Sequence, residues 1–470
     1  MSGTTNVSFA PLSDTKEADW ELGQVLSAYM LCATLWLLFS TAIGVLLALK
    51  FIYPDMGSIP ALSFGRLRQI HTNDTFYGWA SPALVGLALY IAARSSGTRL
   101  YSVRLAWIAL FLFNLAAIAG TVAVDLGASY GNQEYREWLW WIRIILALAM
   151  IATAWNLVAT VARRESDDIY LSNWYTMAAV LWVIVITLVA LLPWYQYGLG
   201  QVAVAGFFMH NAVGMWFTPL VLGVAYYALP KTLNRPIYSY SLGILAFWTN
   251  LAFYPLLGAH HFLFSPLPWW LQTTAIVASV AMVVPVLSGS SNFLLTMRGQ
   301  QDWIYRSPAV FIGIAAIGYL LGSLQGTVEA LRTMQRVWHL TNFTVGHSHL
   351  TMYVFVTFGI WGGAYALLPH ATGKRPYNLA MGIHFWLALI GVVIYIVALS
   401  IGGTLQGLSW IAGAPFIQSV VEQGVYWQWR AVGGILMFLG HLVFAFNVWT
   451  MTYRRAPATE AAAPSEAAPA

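Results

Sequence analysis

This chain of 470 residues is short of charge. Only 8% of its residues are Asp, Glu, Lys or Arg, against 59% hydrophobic ones, and the mean hydropathy is +0.67. A soluble domain carries roughly 25% charge, so water cannot be the solvent of most of this surface. Cysteine is scarcer still. The single Cys32 excludes internal disulfides and iron–sulfur clusters, and the lack of any C-x-x-C-H excludes heme attached through thioethers. Short segments of alternating polarity, the mark of a transmembrane β-barrel, are missing too. The opening "MSGTTNVSFAPLSDTKEADWE" has no apolar run, so no cleaved signal peptide is expected. No internal repeat is evident, which argues against a twelve-helix secondary transporter built from inverted halves.

What is present is a succession of apolar stretches, each long enough to cross a bilayer at about 20 residues. About twelve occur, near 23–53, 72–95, 101–126, 138–163, 170–196, 200–229, 239–262, 268–298, 308–331, 338–369, 378–403 and 423–453. The expected fold is an all-α polytopic membrane protein of twelve transmembrane helices, whose main partner is the lipid bilayer; nothing in it addresses a nucleic acid. The organisation expected is a polar cytoplasmic segment 1–22, a helical domain 23–453 and a disordered Ala/Pro-rich tail 454–470. Of the 22 Lys and Arg, fourteen fall on the side of the termini, leaving eight on the other, which places both termini in the cytoplasm.

Against this apolar background, six of the ten histidines fall in one layer. His71 opens the second span from the outer side, His210 and the pair His347 and His349 lie about ten residues into the sixth and tenth, and His260 and His261 lie near the outer end of the seventh. At 1.5 Å per residue these six share the outer half of the bilayer. Neighbouring residues on a helix are ~100° apart, so His260 and His261 converge on one centre, whereas His347 and His349, ~200° apart, face opposite sides. One helix therefore divides two metal centres. Neutral imidazole suits both heme iron and copper. His384 and His441 read as packing histidines, and His339 and His370 sit near span ends.

"GRLRQIHTN" (65–73), "HNAVGMWFT" (210–218), "YPLLGAHH" (254–261) and "TVGHSH" (344–349) resemble subunit I of the heme–copper oxidases, above all the cbb3-type cytochrome c oxidases; "YYALPKTLNRPIYSYSL" (226–242) and "LSNW" (171–174) fit as well. The resemblance spans roughly 23–453. It implies His71 and His349 as axial ligands of a low-spin heme b, His347 as proximal ligand of a high-spin heme b, and His210, His260 and His261 as ligands of a copper ion. It also implies Tyr254 as a catalytic tyrosine bonded to His210. Read as continuous α-helix, Tyr254 lies seven residues before His261 and on its face. Arg68 and Arg430 are the expected partners of the heme propionates, with Arg332 and Arg336 as weaker ones. Glu134 and Glu137 resemble the family's calcium site. Thr218, Tyr226 and Tyr319 match its single proton pathway, in which Gln325 replaces a glutamate and Gly243 a serine. Glu329 lies too near the outer end of its span to stand in for it.

The implied activity is reduction of O2 to water in the bacterial inner membrane, coupled to proton translocation. Electrons come from cytochrome c through c-type cytochrome subunits of the same complex, because this chain has no c-type motif of its own. The alternative within the superfamily is a nitric oxide reductase with non-heme iron in place of copper. The lack of a glutamate after His210, together with Tyr254, favours the oxidase.

Overall fold

The computed structural model describes residues 16–130, 134–191, 197–299 and 307–453. The polar segment up to residue 15 and the tail 454–470 lie outside the described residues. Among the described residues twelve helices are long and apolar enough to cross a membrane: α1 (Trp20–Ile52), α2 (Phe64–Ser95), α3 (Val103–Asp125), α4 (Trp140–Ala162), α5 (Leu171–Leu191), α6 (Gly198–Leu233), α7 (Tyr240–Phe262), α8 (Trp269–Met297), α9 (Pro308–Glu329), α10 (Asn342–Thr372), α11 (Asn378–Ile411) and α12 (Gly424–Tyr453). Two short helices, Arg332–Trp338 and Phe416–Glu422, lie in the connections after α9 and α11. Among the described residues there is no strand. In a bilayer this is expected, since helices satisfy their backbone groups within one segment.

Three helices, α2, α6 and α10, touch one another and form the centre, and the other nine surround them. The most apolar stretch of each central helix is 100%, 94% and 83% buried, against 33–56% for the outer helices. The outer helices show lipid one face each, as the exposed Leu, Ile, Val and Trp along α11 and α12 illustrate.

The sequence shows no repeat, but the structure has one in its architecture. His71, His210 and His349 sit on the three central helices at equal intervals, since 210 − 71 and 349 − 210 both equal 139. Each is followed within three residues by a stretch of π-helix: Asp74–Ala80, Ala212–Phe217 and Leu350–Thr357. Asparagines of α4, α8 and α12 cap the chain entering the preceding helix, with Asn156 Oδ1 accepting from the Ser102 amide, Asn292 Oδ1 from Ser239 and Asn447 Oδ1 from Tyr377. Packing of this kind is indifferent to which apolar residue is used, so the repeat leaves no run of matching letters.

The start of α2 also differs from expectation. The helix begins at Phe64, so His71 lies two turns inside it rather than at its mouth. The charged first turns hid this, yet Arg66 Nη1 donates to the Asp125 carbonyl at 2.7 Å and Arg68 pairs with Glu134 at 2.5 Å. The two arginines thus tie the first turns of α2 to the end of α3 and to the connection after it.

Candidate active site

His210, His260 and His261 come together as expected. Their candidate ligand nitrogens all lie within 4.8 Å of one another, the one such cluster of His, Cys, Asp and Glu found among the described residues. The ring centroids are 4.5–5.0 Å apart. His210 Nδ1 faces His261 Nε2 at 2.8 Å. His260 is oriented from behind. Ser279 Oγ already donates to the Ala275 carbonyl at 2.7 Å, so it accepts from His260 Nδ1, also at 2.7 Å, and the Nε2 lone pair is left free. Fixing a ligand's tautomer through its second nitrogen is how proteins prepare imidazole for a metal.

The end of α7 is not the α-helix that periodicity assumed. Tyr254–Leu256 and Gly258–Phe262 are 3₁₀ turns. Pro255 is the cause: it has no N–H to give and a fixed φ. Tyr254 therefore does not share a face with His261 by a seven-residue step. It stacks instead on His210 of α6, with ring centroids 4.8 Å apart and planes at 22°. Gly214, one turn below His210, lies under the Tyr254 ring, and any Cβ there would overlap it. The buried Nε2 of His210 has no hydrogen-bond partner.

The other three histidines follow one rule. His71 Nδ1 donates to the Ser40 carbonyl at 2.7 Å, His349 Nδ1 to the Val345 carbonyl at 2.9 Å, and His347 Nδ1 faces Gln325 Oε1 at 3.0 Å. All three turn a free Nε2 away from these anchors. Though deep in the bundle, their rings are only half-buried, so space adjoins them. Close glycines give the imidazoles room: a Cβ at Gly44 would press on His71, and one at Gly326 on His347. His347 looks toward α9. His349 looks the other way, toward Tyr395 of α11 at 4.4 Å and within electrostatic reach of His71 and Arg430. The opposite orientations expected of this pair are present, and the residues fit two hemes and a copper ion by tautomer, free lone pairs and adjoining space.

Arg430 is 8% exposed; its Nε donates to the Tyr395 hydroxyl at 3.1 Å, its guanidinium lies 4.4 Å from the centre of the Phe51 ring, and its Nη1 has no partner. A buried donor of this kind next to His71 and His349 suits a propionate. Arg68 is engaged by Glu134, and Glu137 Oε2 accepts from Asn73 Nδ2 at 2.9 Å. The two acids reserved for calcium thus already have partners, and a cation would have to displace Arg68. Burial pushes the Glu137 carboxyl up to about 7, against a weaker pull from its Asn73 hydrogen bond. Arg332 donates to Thr273 and lies over Trp269, away from this cluster.

Tyr319 lies within electrostatic reach of both Tyr226 and Tyr254, and Thr218 is buried on α6. Asn292 Nδ2 donates to the Tyr226 hydroxyl at 3.4 Å, and the buried Tyr319 hydroxyl is unpartnered. Gly243 packs against the Leu171 side chain, beside the Tyr226 hydroxyl. Gln325, expected in this row, stands instead against His347. Glu329, discounted for its depth, is there as well: its Oε2 is 4.0 Å from His347 Nδ1, and Thr344 Oγ1 donates to its Oε1 at 3.1 Å. One α-helical turn separates 325 from 329, which puts both on the face meeting α10. Ser279 and Gly214 gave no sequence signal. Their roles exist only once α8 lies behind α7 and α6 beneath Tyr254.

Comparison with known proteins gives the family and the fold. Residues 24–436 match the sequence model of the family described as cytochrome c and quinol oxidase polypeptide I. A cytochrome c oxidase subunit 1 homolog of Agrobacterium tumefaciens is 30% identical over 467 residues, covering 94% of this chain and 86% of that protein. A cbb3-type cytochrome c oxidase subunit CcoN1 of Stutzerimonas stutzeri is 30% identical over 456 residues, covering 93% and 96%. A solved structure of a heme–copper terminal oxidase dimer superposes with a TM-score of 0.78 at 16% identity, covering 93% of this chain and 84% of that one. At that identity the last likeness speaks for the fold alone.

Proposed function

The chain belongs to the cytochrome c and quinol oxidase polypeptide I family, and on that premise we propose that it is the catalytic subunit of a cbb3-type oxidase, reducing O2 to water with electrons from c-type cytochromes. The observation that carries the reading is the set of six histidines on α2, α6, α7 and α10, with a free, pre-oriented Nε2 on His71, His260, His347 and His349. His71 and His349 are assigned to a low-spin heme b, His347 to a high-spin heme b, and His210, His260 and His261 to copper. When bound, these groups supply electron transfer and O2 chemistry.

The chain's own residues do the rest. Ser279, Gln325 and the Ser40 and Val345 carbonyls hold the imidazoles in register. Tyr254, bonded to His210 in this proposal, holds a phenolic proton beside the copper site, and its burial keeps water from taking that proton. Tyr226 and Tyr319, with Thr218, pass protons from the inner side toward Tyr254, while Gln325 serves the proximal imidazole and leaves this row intact. Arg430 neutralises propionate charge. The even number of spans and the weight of Lys and Arg on one side set both ends of the bundle toward the cytoplasm, with the histidine layer toward the outer face.

The test is turnover and metal content of the purified complex, supplied with a reduced c-type cytochrome. Sustained O2 consumption with about one copper per two b hemes is the expected result. Conversion of NO with non-heme iron in place of copper would assign the chain to the nitric oxide reductases instead.

A further inference from the structure

Arg136 is out of place in a protein that spends so little on charge. It lies in the connection between α3 and α4, is 1% exposed, and none of its Nε, Nη1 and Nη2 has a partner among the described residues. A buried guanidinium needs acceptors in place of its lost hydration, and Glu137, though within electrostatic reach, gives it no hydrogen bond. Arg136 also adjoins a second cation. Arg136 and Arg143 line one cavity of about 40 Å³, between Phe208 and Ala212 of α6 and side chains of α4 and α5.

Among the described residues no acceptor bonds to Arg136. The Tyr77 hydroxyl donates to the Tyr135 carbonyl at 2.7 Å, and Glu137 is bound to Asn73. Arg143 Nη1 donates to the Ala190 carbonyl at 3.3 Å, with its guanidinium 5.2 Å from the Tyr130 ring centre. Phe208 offers Arg136 only its ring, at 5.2 Å.

We propose that Arg136 and Arg143 bind a monatomic anion, chloride, in this cavity. The volume admits one ion or a water or two, and excludes phosphate esters and lipid headgroups. Heme propionates are excluded by position. Phe208 and Ala212 are four residues apart on one face of α6, and His210 between them points from the opposite face. The helix therefore stands between the cavity and the metal layer. The ion ties the α3–α4 connection to the back of the helix that carries a copper ligand.

The test uses the intact purified complex. Crystals grown with bromide replacing chloride are expected to show an anomalous peak between Arg136 and Arg143. Transfer from 100 mM chloride to gluconate is expected to lower the melting temperature by several degrees, and R136M to abolish that dependence. If R136M fails to fold, the bromide peak in the native complex still decides. Water alone or a propionate in the cavity would overturn the proposal, as would a native melting temperature indifferent to halide or a dependence unchanged in R136M.

Discussion

The central helices α2, α6 and α10 and the nine around them obey opposite rules. In water the most apolar segment goes to the middle; here the long, strongly apolar α11 lies at the rim, and the helices carrying His, Asn, Asp and Thr fill the centre. Lipid is as apolar as leucine, so hydrophobicity no longer decides what is inside, and packing and hydrogen bonding do. The histidines make the same contrast. On the rim, His441 spends both nitrogens, on Thr41 at 3.0 Å and Tyr353 at 2.9 Å, while His384 binds Tyr365 at 3.0 Å within a cage of Phe311, Trp361 and Phe444. In the central layer His71, His260, His347 and His349 each spend one nitrogen and keep the other. His384 also leaves one nitrogen, Nε2, without a partner, so a free nitrogen marks a ligand only where space or other imidazoles adjoin it rather than a cage of aromatic rings, and sequence alone does not show that.

The contrast is broken hardest by removing a ligand. H261A is expected to lose copper while keeping two b hemes, with O2 reduction down more than about 10³-fold, the order lost when a member of a catalytic unit is deleted. Elemental analysis beside oxygen-electrode rates checks this. Y254F leaves metal and heme in place and is expected to lower turnover by about 10²- to 10⁴-fold, as for loss of a proton donor. S279A frees the back of His260 and is expected to weaken copper binding by about 10- to 100-fold, read by competition with a chelator.

Outside the layer the effects shrink. Glu137 holds its proton more tightly folded than unfolded, with a pKa pushed up to about 7 against an ordinary 4.5. Between those values the native state binds more protons, so stability falls as pH rises from about 4.5 to 7 and then levels, by about 3 kcal/mol in all. E137Q is expected to flatten that slope in melts across this pH window. H441Q on the rim is expected to cost about 1–2 kcal/mol in stability with heme and copper unchanged.

Much of this architecture is legible in the letters because bilayer thickness sets a fixed window, and twelve windows of apolar residues are hard to miss. The histidine layer is legible for the same reason, since rise per residue converts sequence position to depth. What was lost is local and physical. Arg66 and Arg68 made the first turns of α2 look like a loop, because sequence does not show Asp125 and Glu134 waiting for them. Pro255 in "YPLLGAHH" was a visible signal that α-helical phase fails before His260 and His261. The π turns after His71, His210 and His349 had no signal at all. Glu329, set aside as a proton carrier, stands beside His347, a place that depth in the bilayer does not reveal.

The central claim is that α10 divides two heme sites through residues two positions apart. The direct test compares H347A with H349A, measuring heme b by pyridine hemochrome and CO binding to the reduced protein. The account predicts that each variant keeps one heme b: H349A retains the CO-binding heme and H347A does not. Loss of the same heme in both variants, or retention of two hemes in both, would contradict it.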